Sequence, residues 1–148
     1  VDNVATQLST FLKPEVDQHL VQIVDNYADV RIRITASGLF ASGSDKIASR
    51  LMPLIQRIGQ ALGSEDDRKV VVEGHSDSSP IHTLRFPSNW DLSLARAQSV
   101  LSALLKNPAL SSTLYSAEGK GDAEPLVAND SRANREKNRR VEVILEKK

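Results

Sequence analysis

The sequence predicts an α/β (α+β) two-layer sandwich, in which helices pack on a sheet. Two observations favour this class. Apolar residues recur at helical spacing in some segments and alternate with period two in others, and after an N-terminal hairpin these segments follow one another as helix, strand, helix, strand, short helix and strand. The 148 residues are 40% hydrophobic and 26% charged, which is the composition of a globular domain with a core of its own.

The first 36 residues predict a helix followed by a hairpin. Apolar residues at helical spacing predict the helix over residues 4–12, and Pro14 closes it. Residues 19–24 and 30–34 alternate with period two, which predicts two strands, and Asp25-Asn26 between them predicts a turn. In the second strand the apolar side chains should face the core and the arginines should face water: Val30, Ile32 and Ile34 against Arg31 and Arg33.

The middle of the chain predicts a loop, an amphipathic helix and a buried strand. Small residues dominate the loop over residues 38–45. An apolar stripe predicts the helix over residues 47–62, with Gly63 as its C-terminal cap, and Pro53 marks either its start or a kink. The continuous apolar run at residues 70–72 predicts a central strand that is covered on both faces.

The second half of the chain predicts an irregular segment followed by two helices and two strands. Residues 74–90 contain prolines and many small polar residues, and Asn89 or Asp91 is expected to cap the helix that follows. The other elements are a helix over residues 92–106, a strand over residues 113–117, a short polar helix over residues 131–138, and a last strand in which Val141, Val143 and Leu145 alternate.

Charge and cysteine content exclude several classes of protein. The 19 basic residues balance 19 acidic ones, and this zero formal charge argues against a general binder of nucleic acid or anionic membranes. Without cysteine, the chain has no disulfide, thiolate nucleophile or cysteine-ligated zinc site. No stretch approaches the roughly 20 apolar residues of a membrane span. Because the sequence begins with Val1, we expect a domain excised from a longer protein whose anchor lies elsewhere.

The segment Gly74-His75-Ser76-Asp77 follows the buried strand and invites a catalytic interpretation. Adjacent side chains on an extended chain point in opposite directions, so these residues cannot form a Ser-His-Asp relay among themselves. No G-x-S-x-G motif occurs elsewhere in the sequence. The three histidines, His19, His75 and His82, lack carboxylates at ligand spacing, so we expect no metal site and interpret His75 as a hydrogen-bonded structural residue.

Two segments with arginine could hold an anion. Arg96 is predicted near the start of the long helix, where the helix dipole disfavours a cation, so it needs a compensating anion, either from the Asp77 loop or from a ligand carboxylate. Arg139 and Arg140 stand where the polar helix meets the last strand and could reach a ligand or loop carbonyls. They belong to a basic cluster without interspersed aromatic residues, so nucleic-acid binding is not expected.

Four motifs together resemble the OmpA-like peptidoglycan-binding domain, in the family's order and over about residues 38–146. The motifs are Gly74-His75-Ser76-Asp77, Asn89-x-x-Leu92-Ser93-x-x-Arg96-Ala97, Gly119-x-Gly121 with Pro125, and Asn138-Arg139-Arg140-Val141. The resemblance implies a β-α-β-α-β-α-β core over residues 37–148, with helices packed on one mixed sheet. Residues 1–36 would then be an N-terminal helix and hairpin extension packed on this domain.

The long loop over residues 80–90 resembles that of two subfamilies, the flagellar MotB stators and TssL, the inner-membrane protein of type VI secretion. Residues 39–44 and 11–15 favour the TssL type. The resemblance implies a periplasmic domain of a Gram-negative inner-membrane protein, with a membrane anchor N-terminal to this segment. Such a domain would anchor the secretion complex to the cell wall beside other inner-membrane and periplasmic secretion components.

The ligand that the resemblance implies is the diaminopimelate of the peptidoglycan stem peptide, whose free end is an amino-acid zwitterion. Asp77 would accept bonds from its ammonium group, and Arg96 would donate two parallel bonds to its carboxylate. The other residues that the resemblance places at the site are Asn89, Arg139, Ser76 and Ser78. No bond is broken, so the resemblance implies binding rather than catalysis, without a cofactor or metal.

The sequence is also compatible with several alternatives. Phe86 and Trp90 in the long loop could narrow or cover the pocket, and Ser76 stands where threonine is commoner in the family. Asp77 and Arg96 could instead form a structural salt bridge that closes the loop. A second hypothesis is a protein–protein interaction or homodimerisation domain of the same complex that has lost wall binding, and another is a MotB-like stator anchor.

Overall fold

The computed structural model describes residues 2–65 and 67–148, and these residues form six helices and five strands. The helices are α1 (Val4–Phe11), α2 (Lys13–Asp17), α3 (Ala36–Leu39), α4 (Met52–Gly63), α5 (Asn89–Leu104) and α6 (Arg132–Asn138). The strands are β1 (Val21–Asp25), β2 (Asp29–Thr35), β3 (Val70–His75), β4 (Tyr115–Gly119) and β5 (Arg140–Glu146). None of the described helices combines the length and the apolar character that a membrane span requires.

All five strands join one mixed sheet in the order β1-β2-β5-β3-β4. Neighbouring strands are antiparallel except β3 and β4, which are parallel because α5 crosses over between them. Helix α5 packs against β3 and β4, and α4 packs beside α5. The structure therefore confirms the predicted sandwich of helices on one mixed sheet.

The core lies between the helices and the apolar face of the sheet. Period-two alternation puts Val30, Ile32 and Ile34 of β2 on this face, and all three are buried, as predicted. Ile58 and Leu62 lie one turn apart on α4 and are fully buried in the same cluster. Burial of each such side chain contributes about 1.5–3 kcal/mol, so this packing stabilises helix and sheet together.

The opposite face of β2 carries Arg31 and Arg33, which do not simply face water as the alternation predicts. Antiparallel pairing with β5 puts Arg33 opposite Glu142, whose side chain is buried. Arg33 Nε donates to Glu142 Oε2 at 2.7 Å, and Arg31 Nη1 donates to Glu142 Oε1 at 2.8 Å. The prediction is wrong because alternation separates two faces but does not show which distant strand will place a carboxylate beside the polar one.

Strand β3 lies inside the sheet, between β5 and β4. Val70 and Val72 are buried, but Val71 on the other face is only half-buried. The predicted cover on both faces is confirmed in part, because Glu73 and His75 on the face of Val71 are buried although Val71 itself is half-buried. Helix α5 covers the face that carries Val70, Val72 and Gly74.

Two prolines mark the starts of helices. Pro14 follows the end of α1 and lies in the first turn of α2, a second helix that the sequence pattern did not predict. Pro53 lies in the first turn of α4, so it marks the start of that helix rather than a kink. Gly63 is the last residue of α4 and Ser64 follows it as the cap, so the predicted glycine cap is wrong.

Helix α5 begins at Asn89, three residues before the predicted start. Its N-cap is Ser88, whose Oγ accepts a hydrogen bond from the Asp91 backbone N–H at 3.2 Å. Neither Asn89 nor Asp91 is the cap, contrary to the prediction. Asp91 lies in the first turn, and its carboxylate accepts a bond from the Ser88 hydroxyl at 2.7 Å, so the two residues bond each other reciprocally.

The N-terminal hairpin is part of the same sheet. Strand β2 pairs with β1 on one side and, over its whole length, with β5 on the other. The predicted β-α-β-α-β-α-β order is present as β2, α4, β3, α5, β4, α6 and β5, with the short α3 between β2 and α4. Its first strand thus lies before the boundary predicted after residue 36, and a cut there would separate β2 from β5.

Candidate ligand-binding site

A pocket of about 440 Å³ opens where β3 ends and α5 begins. Five of the six predicted site residues line it, namely Ser76, Asp77, Asn89, Arg96 and Arg139. The segment after β2 supplies a further wall through Ser37, Phe40 and Gly43. The fold therefore brings together residues that the sequence places far apart, at the ends of strands and at a helix that crosses over them.

Two motif glycines allow α5 to lie close enough to the sheet to place Arg96 at this pocket. A Cβ atom on Gly74 would lie 1.9 Å from the carbonyl oxygen of Ser93, and one on Gly119 would lie 2.7 Å from Cβ of Leu94. Both contacts are too short for any side chain to exist there, so glycine is required by the close approach. These residues therefore set the distance between α5 and strands β3 and β4.

Arg96 is buried and has no carboxylate partner within ion-pair distance in the described part of the chain. Its Nε donates to the Ser44 carbonyl at 2.8 Å and its Nη2 to the Ala41 carbonyl at 3.2 Å, while its guanidinium lies 4.9 Å from the centroid of the Phe40 ring. Burial, together with the positive charge of Arg139, lowers the pKa of Arg96, and the more distant carboxylate of Asp45 opposes this only in part. The groups that hydrogen-bond this cation are thus neutral carbonyls, which do not match its charge.

Arg96 does not lie at the start of its helix, contrary to the prediction. Because α5 begins at Asn89, Arg96 is the eighth residue of the helix and lies beyond its first turn, where the dipole acts most strongly. Burial rather than the helix dipole is the physical reason that its guanidinium favours an anion.

Asp77 is buried and already pairs within the protein. Its Oδ2 accepts a hydrogen bond from Nη1 of Arg139, and its Oδ1 accepts one from the Ser79 backbone N–H at 2.7 Å. The structural salt bridge considered between Asp77 and Arg96 is therefore wrong in its partner, since Arg139 takes that place. Two guanidinium groups and one carboxylate line the pocket, which leaves it one positive charge in excess.

Of the remaining predicted site residues, Asn89 and Ser76 hold the loop after β3, and Ser78 lies outside the pocket lining. Asn89 Nδ2 donates to the Ser79 carbonyl at 2.9 Å, so this side chain fixes the loop after β3. The backbone N–H of Ser76 donates to the Gly121 carbonyl at 2.8 Å, which ties the same loop to the turn after β4. Ser78 is exposed and lies outside the pocket lining, and Ser79 lines the pocket instead.

The long loop approaches the pocket through residues other than those expected. Phe86 is buried away from it and Trp90 is 53% exposed, and neither lines the pocket. Pro80 and Ile81 form the wall on this side. The expectation for the two aromatic residues is wrong, because the loop folds Phe86 inward and α5 starts early enough to carry Trp90 on its outer side.

A second polar cluster lies on the other face of the sheet. Ligand-type atoms of Glu73, His75 and Glu142 lie within 4.8 Å of one another, although the sequence shows no such spacing. His75 Nε2 lies 3.1 Å from Glu73 Oε1, which agrees with the hydrogen-bonded role predicted for His75. This hydrogen bond lowers the pKa of Glu73, and its effect exceeds the opposing effect of burial. The sequence does not predict this cluster, because its members come from two strands that are neighbours only in the sheet.

Cations already surround the carboxylates of this cluster. Burial by itself would raise the pKa of Glu142, but hydrogen bonds from Arg140, Arg31 and Arg33 lower it to about 2. Lys120 lies 3.9 Å from Glu73 Oε2. A divalent cation would have to displace or oppose these four positive side chains, so the arrangement is that of an ion-pair network rather than a metal site.

Comparison with known proteins identifies the family. Residues 39–139 match the OmpA family. Motility protein B of Bacillus subtilis is 34% identical over 145 residues, which are 98% of this chain and 56% of the Bacillus protein. The outer-membrane lipoprotein YfiB of Pseudomonas aeruginosa is 31% identical over 107 residues, 72% of this chain and 61% of that protein. The chain thus spans little more than half the length of these curated relatives.

Solved structures agree in fold. The cell wall anchor of the T6SS from Pseudomonas aeruginosa superposes with a TM-score of 0.87 at 38% identity, over 95% of this chain and 97% of that one. The periplasmic domain of Helicobacter pylori MotB superposes with a TM-score of 0.77 at 26% identity, over 85% of this chain and 88% of that one. Since the family match covers most of the chain, including the strands and helices that build the pocket, the chain belongs to the OmpA family.

Proposed function

We propose that this chain binds cell-wall peptidoglycan without catalysis, by the diaminopimelate of the stem peptide. The observation that carries the proposal is the buried guanidinium of Arg96, which lines the pocket without a carboxylate partner in the described residues. An unmatched buried cation costs free energy, and a ligand anion removes that cost. The site is therefore suited to a ligand that brings a carboxylate.

The zwitterionic end of diaminopimelate matches both charges of the pocket. Its carboxylate would lie against the free nitrogen edge of Arg96, whose Nε and one Nη2 bond are already used by loop carbonyls. Its ammonium would donate to Asp77, whose two oxygens retain lone pairs beyond those used by Arg139 and Ser79. Asn89 would hold the loop that carries Asp77 in the binding geometry.

The side chains at the pocket favour binding rather than bond cleavage. Ser76 Oγ donates to the Asp77 carbonyl at 3.0 Å, so its hydroxyl is engaged with the backbone rather than with a general base. His75, the nearest histidine in sequence, points to the other face of the sheet and pairs with Glu73. The relatives are named for wall anchoring and motility, which agrees with a module that holds but does not cut.

The test is co-sedimentation of the purified chain with sacculi. The wild type should pellet with sacculi that contain diaminopimelate and stay in the supernatant with sacculi that carry lysine at that position, because lysine lacks the second carboxylate. Arg96→Ala and Asp77→Asn should each weaken binding at least about tenfold, as expected for loss of a charge-assisted bond. Arg132→Ala is the matched control, since it removes an exposed arginine of α6 outside the pocket and should bind as the wild type does.

Thermal unfolding of each variant separates lost binding from lost fold. Two results would contradict the proposal: a wild type that remains in the supernatant with diaminopimelate sacculi, or a folded Arg96→Ala variant that pellets like the wild type. The first result would favour the alternative of a protein–protein interaction or dimerisation domain that has lost wall binding.

We further propose that the parent protein is an inner-membrane component of a type VI secretion complex, with this domain in the periplasm. The 38% identity to the T6SS wall anchor, over nearly the whole of both chains, supports this choice. A flagellar stator anchor is the second candidate, supported by the 34% identity to Motility protein B. Domain exchange distinguishes them: this chain should restore secretion in the T6SS anchor and should not restore swimming in a MotB stator, and the reverse pattern would favour the stator.

A further inference from the structure

Asn138 is the last residue of α6, and its side chain is completely buried. Its Oδ1 accepts hydrogen bonds from the backbone N–H groups of Leu126 and Val127, at 2.8 and 3.1 Å. Its Nδ2 donates to the Val127 carbonyl and to Oδ1 of Asn129, both at 2.8 Å. This buried amide thus uses both of its hydrogens and both lone pairs of its oxygen, and it fixes the segment between β4 and α6.

The groups around the two asparagines determine how both amides are oriented. Because Leu126 and Val127 present backbone donors, the Asn138 atom that faces them has to be the oxygen, and its nitrogen then faces Asn129. Asn129 must therefore offer its own oxygen in return. The same Oδ1 accepts a second bond, from the Ser78 backbone N–H at 3.4 Å. Asn129 is thus a double acceptor between two donors.

The loop after β3, which carries Asp77, is held from two sides. On the side of α5, Asn89 Nδ2 donates to the Ser79 carbonyl at 2.9 Å. On the side of α6, Asn129 accepts the N–H of Ser78, the residue that follows Asp77. Ser78 is exposed and lies outside the pocket lining, so its backbone N–H rather than its hydroxyl connects it to this arrangement.

Asn138 also stands directly before Arg139, the ion-pair partner of Asp77. On the other flank, the side chain of Arg140 donates to the carbonyls of Asn138 and Glu124. Both neighbours of Arg139 are therefore bonded to the segment after β4, which restricts the backbone of Arg139. The two members of the ion pair are thus connected to one buried amide, one directly along the chain and the other through two hydrogen bonds.

We propose that Asn138 and Asn129 are positioning residues of the ligand-binding site, which hold Asp77 in the place where it meets the ammonium group of diaminopimelate. This inference rests on the proposed function. Neither asparagine lines the pocket, so both act through the loop and the arginine that do. A loop that is already held in its binding geometry avoids the entropy cost of becoming ordered when the ligand arrives.

The same substitution should have opposite effects at the two asparagines. Asn129→Asp keeps an oxygen that accepts from Asn138 and Ser78, so its affinity for a stem tetrapeptide with diaminopimelate should stay within about twofold of the wild type. Asn138→Asp loses both donors and places a carboxylate against two acceptors, so its affinity should fall about tenfold or more. Isothermal calorimetry measures both affinities, at a temperature where circular dichroism shows the variants to be folded.

Asn129→Ala covers the case in which the buried Asn138→Asp variant does not fold. It removes only the acceptor, so its affinity should fall about three- to tenfold, and the Ser78 amide should exchange its hydrogen faster than in the wild type. Asn134→Ala is the matched control, because the side chain of this α6 asparagine donates to Asp130 at 2.8 Å rather than holding the loop after β3. Its affinity and its Ser78 exchange should equal those of the wild type.

The outcomes separate positioning from a purely structural role and from the function on which it rests. An Asn129→Asp variant that loses as much affinity as Asn129→Ala would overturn the positioning role alone. So would an Asn129→Ala variant that frees the Ser78 amide but binds like the wild type, or an equal loss of affinity in Asn134→Ala. A folded wild type that does not bind the tetrapeptide would overturn the proposed function and the positioning role together.

Discussion

Arg96 and Arg139 both line the pocket, but their surroundings give these two arginines different roles. Arg139 neutralises Asp77 at the rim of the pocket, whereas Arg96 is held by backbone carbonyls and an aromatic ring. A carbonyl accepts a hydrogen bond but cannot cancel a charge, so of these two arginines Arg96 is the one without an ion-pair partner among the described residues. Of the two arginines, we therefore propose Arg96 as the one that binds a ligand anion, because its own hydrogen bonds go to neutral carbonyls.

Glu142 is a buried charged residue on the opposite face of the sheet. It is fully buried and accepts hydrogen bonds from three arginines. These bonds lower its pKa from 4.5 to about 2. A carboxyl group with a lowered pKa stabilises the fold above its unfolded pKa, and this contribution is lost as the pH falls through the folded one.

We expect Glu142→Gln to lower the free energy of unfolding by about 3–5 kcal/mol at neutral pH, because it leaves three guanidinium groups around a neutral amide. The difference from the wild type should shrink as the pH falls from about 4.5 toward 2, since Glu142 itself becomes protonated there. Urea unfolding as a function of pH measures both effects.

Glu118→Gln is the control for this change. The Glu118 side chain is 51% exposed and pairs with Lys120 at 3.3 Å, so its loss should cost at most about 1 kcal/mol. A Glu142→Gln variant as stable as the wild type at pH 7, or a difference independent of pH, would show that the network does not stabilise the fold.

At the scale of elements, the β2 strand links the N-terminal extension to the rest of the molecule. It pairs with β5 over its whole length, buries three apolar side chains in the core and supplies Arg31 and Arg33 to Glu142. We therefore propose that the division after residue 36 marks an extension in sequence but not an independently stable unit.

A fragment of residues 37–148 should show no cooperative unfolding transition. It loses the burial of Val30, Ile32 and Ile34, about 5–9 kcal/mol in all, which is comparable to the whole stability of a typical domain. A fragment of residues 28–148, which retains β2 but lacks α1, α2 and β1, is the matched comparison and should fold with reduced stability. Circular dichroism during thermal unfolding measures both, and a cooperative transition of 37–148 at the temperature of the full chain would contradict the proposal.

At the scale of the whole molecule, the zero net charge is the sum of two opposite segments. Residues 1–30 carry one basic and five acidic side chains, net −4, and residues 131–148 carry seven basic and three acidic, net +4. The sheet puts the ends of these segments side by side: Lys147 pairs with Asp25 at 2.6 Å, and the Lys148 N–H donates to Asp2 at 2.9 Å. Part of the charge asymmetry is thus cancelled where the chain ends meet.

The sequence by itself determined the fold class and most of the elements, because periodicity is a local property of the chain, and its motifs indicated five of the residues that line the pocket. Only the tertiary structure decided which groups pair: Asp77 with Arg139 rather than Arg96, and Arg33 with Glu142 rather than water. These choices depend on strand register and on how closely α5 approaches the sheet. A contact between residues 62 or 109 positions apart leaves no mark in a local pattern, so the pairing of Asp77 with Arg139 and of Arg33 with Glu142 became visible only in the folded chain.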